Sequence, residues 1–159
     1  MAVTAQFKVN GLQELQRRLI ERKEAMKRVL DMKLLQLAEE AVTHAKWNKG
    51  YSDRTANLKN SISFALYYDG ELVTAQAGHI PQPTADTEGQ SQVEAALDEY
   101  ARKDGVVAPK GYSLIIVAGM RYGAHVEHKG YNVLYLTKYY LRDELRKILE
   151  ETVEEIKKA

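Results

Sequence analysis

The sequence predicts an α+β fold: a small antiparallel sheet of about four strands packed with long N- and C-terminal helices and a short inserted helix. Three observations lead there. Apolar residues recur at three- and four-residue steps over two long stretches, residues 11–47 and 133–158, as on an amphipathic helix. Between them lie short apolar runs bounded by glycine, proline and asparagine, which is how strands read. One boundary, Asp69-Gly70, is a two-residue hairpin turn, so the sheet is antiparallel there.

Val3, Ala5, Phe7 and Val9 alternate with polar residues, which predicts a first, half-buried strand. Asn10 is placed to cap a helix starting at Gly11, with Gln13 positioned to return a hydrogen bond in a variant of the capping box. Leu12, Leu15, Leu19, Met26, Leu30, Leu34, Leu37, Ala41 and Ala45 form its apolar stripe and carry it to about Trp47. The turn at residues 21–25 has no large apolar side chain, so the helix is expected to protrude or bend there. A loop at residues 48–52 leads to Thr55, which can cap one short turn.

The strand at residues 61–68 turns at Asp69-Gly70 into a second. The turn chemistry pairs Tyr68 with Glu71, Leu66 with Val73, Phe64 with Ala75 and Ile62 with Ala77, a register that puts the apolar residues of both strands on one face. Residues 79–90 have loop composition and are expected to be mobile. Ser91-Gln92-Val93-Glu94 reads as a capping box opening a short inserted helix up to Asp104-Gly105. The most apolar run, at residues 112–118 around Leu114-Ile115-Ile116-Val117, reads as a central strand covered on both faces. The last helix places Leu134, Leu141, Leu145, Ile148, Thr152 and Ile156 on one side.

A chain of 159 residues with 45% hydrophobic content supports one ordinary core, so residues 1–159 are expected to form a single domain. Its formal charge of +1 provides no whole-molecule field toward nucleic acid or acidic lipid. Any nucleic-acid contact has to be local, and no sequence-specific one is expected. The absence of cysteine removes disulfides, thiolate metal sites and cysteine nucleophiles. No apolar run approaches the ~20 residues needed to span a bilayer, and the N-terminus lacks an export-signal pattern, so no membrane partner is expected.

The segment between the apolar strand and the last helix is the densest in chemistry. Arg121-Tyr122-Gly123-Ala124-His125-Val126-Glu127-His128-Lys129-Gly130-Tyr131 brackets an aliphatic, a carboxylate and two imidazoles between glycines. A period of two would put Tyr122, Ala124 and Val126 on one face and a helical period would group Tyr122, Val126 and Lys129; one or two helical turns ended by Gly130 are favoured, and either way Tyr122 and Val126 point inward. The run from Tyr122 to Glu127, with Gly130 after it, resembles the "Tyr-Ala-x-x-Val-Glu…Gly" signature of the gene-ten-like tail-completion, or head–tail joining, proteins of long-tailed phages. The second signature of that family, "Thr-Gly-x-Leu-(Arg/Lys)-x-Ser-Ile", is matched at Thr55, Asn57, Leu58, Lys59, Ser61 and Ile62, with Ala56 where the family has glycine.

The resemblance implies a non-enzymatic virion or prophage protein of the tail or neck, present in the host cytoplasm during assembly and needing no cofactor. It implies a homo-oligomeric ring, such as a hexamer in the virion, that meets the tail tube protein and the head–tail connector. Tyr122, His125, Glu127, His128 and Tyr131 are the candidate interface. Thr55, Asn57, Leu58, Ser61, Val126 and Gly130 are the structural positions of the two motifs. Ten tyrosines against two phenylalanines suit a surface that is wet alone and buried in an assembly.

The competing reading is a small metal-assisted or acid–base enzyme using His125, Glu127 and His128. Two metal-binding histidines on one helix usually stand four apart, whereas these stand three apart without a clear third ligand. His44 and His79 are isolated and read as solvated or hydrogen-bonded. No Gly-x-Ser-x-Gly and no phosphate-cradling loop is present.

Overall fold

The structure, a computed structural model, describes residues 11–52, 56–76 and 88–158. Its elements run α1 (Leu12–Trp47), α2 (Asn57–Asn60), β1 (Ile62–Tyr68), β2 (Glu71–Gln76), α3 (Glu88–Ala101), β3 (Tyr112–Ala118), α4 (Gly123–His128) and α5 (Tyr135–Lys158). The class is α+β, with long helices at both ends and an antiparallel sheet of order β2-β1-β3. Three strands stand among the described residues. The strand expected at residues 3–9, with its Asn10 cap, lies outside them, as do Thr55, His79 and all of the 79–90 loop but its last three residues.

Two compact units divide the chain, Met1–Lys33 and Leu34–Ala159, and the division falls within α1. No glycine or proline interrupts residues 12–47, so the backbone ladder of α1 continues without a breaker. In the first unit every described residue from 11 to 25 is exposed, including Leu12, Leu15 and Leu19, which periodicity alone had placed on an inward stripe. Glu14 there binds both Arg17 and Arg18 at 2.8 Å.

In the second unit β1 and β3 are covered on both faces. Ile62 and Phe64 pack on Ala38, Val42 and Ala45 of α1, and Leu66 packs on Leu34 and Leu37 with Leu141 and Ile148 of α5 beside them. Ala65 and Ile115 meet Val93 and Leu97 of α3 on the opposite face. Burial from Ile62 to Leu66 is therefore unbroken, and β1, not β3, is the central strand. β3 is covered on both faces as its continuous apolar run requires, but it stands at an edge of the described sheet.

Asp69 (φ 49°) and Gly70 (φ 86°) both take the left-handed conformation expected of the turn, and Tyr68 pairs with Glu71. The expected register also holds for the next pair and fails after it. Tyr67 faces Leu72 and Leu66 faces Thr74, so Val73 is an extra residue on β2, and Ala65 then faces Ala75 and Phe64 faces Gln76. The bulge lies on an exposed strand with no buried face to hold a strict period of two.

α3 starts at Glu88, ahead of the Ser91 cap read from the sequence, so residues 88–90 are helical. Leu134, just ahead of α5, and Leu141, Ile148 and Thr152 on it are at least half-buried, whereas Leu145 (38%) and Ile156 (37%) are exposed. The stripe expected along this helix is narrower in the structure.

Candidate functional site

The two motif-bearing segments meet. Leu58 of α2, Met120 and Val133 form one buried cluster, and Val126 of α4, Ala118 and Leu134 pack against it. The approach is close: a side-chain carbon added at Gly123 would stand 3.1 Å from Leu58 Cδ1. Ser61 ties the same parts through polar groups. Its hydroxyl donates to the Leu58 carbonyl at 2.8 Å and accepts the Met120 N–H at 3.2 Å, while its carbonyl accepts the Gly119 N–H at 2.9 Å. Ser61 is fully buried, so each of these groups would be costly to leave unpaired. Asn57 is 4% exposed, and its Oδ1 accepts no hydrogen bond among the described residues.

Ala56, in the place of the signature's glycine, has φ 60° and ψ 1°. That left-handed conformation crowds a Cβ and favours glycine. α4 ends as the sequence reading expects, with Lys129 as its C-cap and Gly130 left-handed at φ 81°.

Glu127 is half-buried and holds the start of α5. One of its carboxylate oxygens accepts the N–H groups of Val133 and Leu134 at 2.8 Å each, and the other accepts the Tyr135 N–H at 3.2 Å. Asn132 Oδ1 adds the Leu136 N–H at 2.8 Å. Together they satisfy the amides that a helix start leaves without partners, and the Glu127 charge complements the positive end of the helix dipole. The Asn132 side-chain amide also donates to the Asn48 carbonyl, and the main-chain carbonyl of Asn132 accepts the Gly50 N–H. The loop after α1 is thereby stitched to the start of α5.

The remaining residues of the segment form a rim. Tyr122 is 43% exposed and Tyr131 48% exposed, so Tyr122 does not point inward as expected; the small Gly123 meets Leu58 in its place. His125 and His128 are exposed. His128 Nδ1 lies 2.6 Å from the Ala124 carbonyl, which makes that nitrogen the N–H donor. Glu127, His128, Gly130, Asn132, Tyr135 and Leu136 line a cavity of about 500 Å³. Among the described residues no three His, Cys, Asp or Glu side chains are grouped to hold a metal ion. Both Glu127 oxygens are already engaged by backbone amides.

His44 is hydrogen-bonded, with Nδ1 3.2 Å from the hydroxyl of buried Thr137 and its ring stacked on Tyr140 at 4.5 Å. Burial and the neighbouring Glu40 carboxylate push the Tyr140 phenol up from its ordinary value. Sequence reasoning missed Lys46, which is 3% exposed although it looks like any solvated helix lysine in the sequence. Burial, with the charge of Lys59 as a smaller contribution, brings its amine down to about 8. It also missed Asn132, whose only signal was its place ahead of the last helix.

No protein family, curated protein or solved structure was found to match the chain.

Proposed function

We propose that the chain is a non-enzymatic virion or prophage assembly protein of the tail-completion or head–tail joining type. It would cap the tail tube or fit the neck as a ring, meeting the tail tube protein on one side and the head–tail connector on the other. The observation that carries this reading is the junction of the two signatures. They lie some sixty residues apart in sequence, yet Leu58 and Ser61 of the first pack on and hydrogen-bond the Gly119–Val126 region that carries the second. The left-handed Ala56 at the signature's glycine position supports the same reading, since that position then has a backbone reason for glycine.

On this reading the motif residues are scaffold. They hold out a rim of Tyr122, His125, His128 and Tyr131 for a partner, and closed rings need such a patch to meet a different patch on the next copy. The test is complementation in vitro. Heads and tails purified from a phage defective in the gene for this protein should join when the protein is added and stay separate without it. Unchanged levels of free heads and tails after addition would sink the reading. A gene neighbourhood without portal, capsid or tail-tube genes would count against it independently.

A further inference from the structure

With a formal charge of only +1, the chain can engage nucleic acid only through a local face, and α5 presents one. Tyr135, Lys138, Tyr139, Arg142 and Arg146 fall within about 100° of arc on one side of that helix. All five are exposed, Tyr135 at 57%. The two rings meet edge to face at 5.3 Å with their hydroxyls 3.0 Å apart, and the Arg142 guanidinium lies 5.3 Å from the Tyr139 ring.

Many cations elsewhere on the helices are paired: Arg17 and Arg18 with Glu14, Arg102 with Asp98, Lys147 with Glu144 and Lys157 with Glu154. On this face only Arg142 is, with Asp143. No carboxylate of the described residues pairs with Lys138 or Arg146. At its N-terminal end the face opens into the cavity of about 500 Å³ that Tyr135 lines with His128 and Leu136.

We propose that this face of α5 binds single-stranded nucleic acid without reading its sequence. The inference goes beyond the assembly reading and does not rest on it. Phosphates match cations such as Lys138 and Arg146 that no carboxylate of the described residues pairs with, and exposed tyrosine rings offer stacking surfaces that only unpaired bases can use. An acidic protein surface would satisfy the cations but gives the rings no planar partner. From Tyr135 to Arg146 the helix rises about 16 Å, the length of four or five stacked nucleotides at ~3.4 Å each.

The test is fluorescence anisotropy of a labelled twenty-nucleotide thymidine strand titrated with the full chain. Saturable binding is expected at 50 mM salt. With three cations engaged, it should weaken roughly 20-fold at 200 mM. Replacing Lys138 and Arg146 together by Gln should weaken binding and reduce that salt effect to roughly threefold. Tyr139→Ala should cost about tenfold in affinity, and Tyr139→Phe should restore it, because stacking needs the ring and not the hydroxyl. These side chains are exposed, so melting curves should confirm that the variants remain folded. The proposal is overturned by no binding at 50 mM salt, by affinity unaltered in the double Gln variant, by equal affinity for a duplex of the same length, or by equal displacement with polyglutamate of matched charge.

Discussion

A buried lysine without a carboxylate partner is a cost the fold carries. Lys46 is 3% exposed, and burial, then the charge of Lys59, bring its amine to about 8 from an ordinary 10.5. Below pH 8 both the folded and unfolded states hold the proton, and the folded state bears the full penalty of a desolvated charge. Between about 8 and 10.5 the folded state releases its proton first, so the unfolded state binds more protons and stability rises with pH. Lys46→Met should therefore raise urea-unfolding stability by about 1–2 kcal/mol at pH 7, with the gain shrinking toward pH 10. A gain that does not change with pH would overturn this account. Ala56 is strained in a different way, by its Cβ at φ 60°. Ala56→Gly should relieve that strain for a net gain of up to about 1 kcal/mol, after the greater freedom of glycine in the unfolded chain is offset. A melting temperature lowered by this change would show that the left-handed conformation is not the one adopted. The two residues differ in how far the sequence reveals them. Ala56 stands out against a motif that has glycine, whereas nothing in the local sequence separates Lys46 from the other lysines of α1, because burial is set by tertiary packing.

Elements follow the same division between local and distant causes. The turn after β1 was legible because its chemistry is contained in Asp69 and Gly70. Gly70→Val should cost about 1–3 kcal/mol, since a β-branched side chain resists φ 86°, and unaltered thermal stability would contradict the hairpin. The bulge at Val73 was not legible: the sequence cannot say that β1 is central and buried on both faces while β2 is exposed, and that arrangement is what frees β2 from strict alternation. The same holds for β3, whose apolar run reports two covered faces and not its rank in the sheet. For α4 the C-terminal end was legible from Gly130, but the task of Glu127 was not. A carboxylate between two histidines reads as chemistry, yet it accepts the first amides of the following helix. Glu127→Ala should lower stability by about 1–2 kcal/mol through loss of this cap, and Glu127→Gln, which keeps one accepting oxygen, by less. If Glu127→Ala left the melting temperature unchanged yet abolished head–tail joining, its carboxylate would be serving a partner and not α5.

For the whole molecule, the uneven distribution of burial along α1 makes a further prediction. Residues 11–25 are all exposed, whereas Leu37, Ala38, Ala41 and Ala45 are each 2% exposed or less. Within the first unit the exposed turns are supported by pairs such as Arg17 with Glu14 and Glu21, at 2.8 and 2.6 Å. Such pairs contribute roughly 0.3–0.5 kcal/mol each. An unsupported helical segment of this length is marginal in water, since packing of an apolar face supplies most helix stability. Amides at residues 16–25 should therefore exchange with solvent by local opening, while those at residues 38–45 should require opening of the core around Phe64 and Ile62. A gap of 3 kcal/mol or more between the two groups corresponds to over a hundredfold in exchange rate, which amide hydrogen exchange resolves within one helix. Equal protection along residues 16–45 in the free protein would show that the apolar residues Leu12, Leu15 and Leu19 have a tertiary partner after all. Protection that appears over residues 16–25 only when the protein is built into a joined particle would instead place the stability of that half in the assembly, as the proposed ring requires of surfaces that are wet in a single copy.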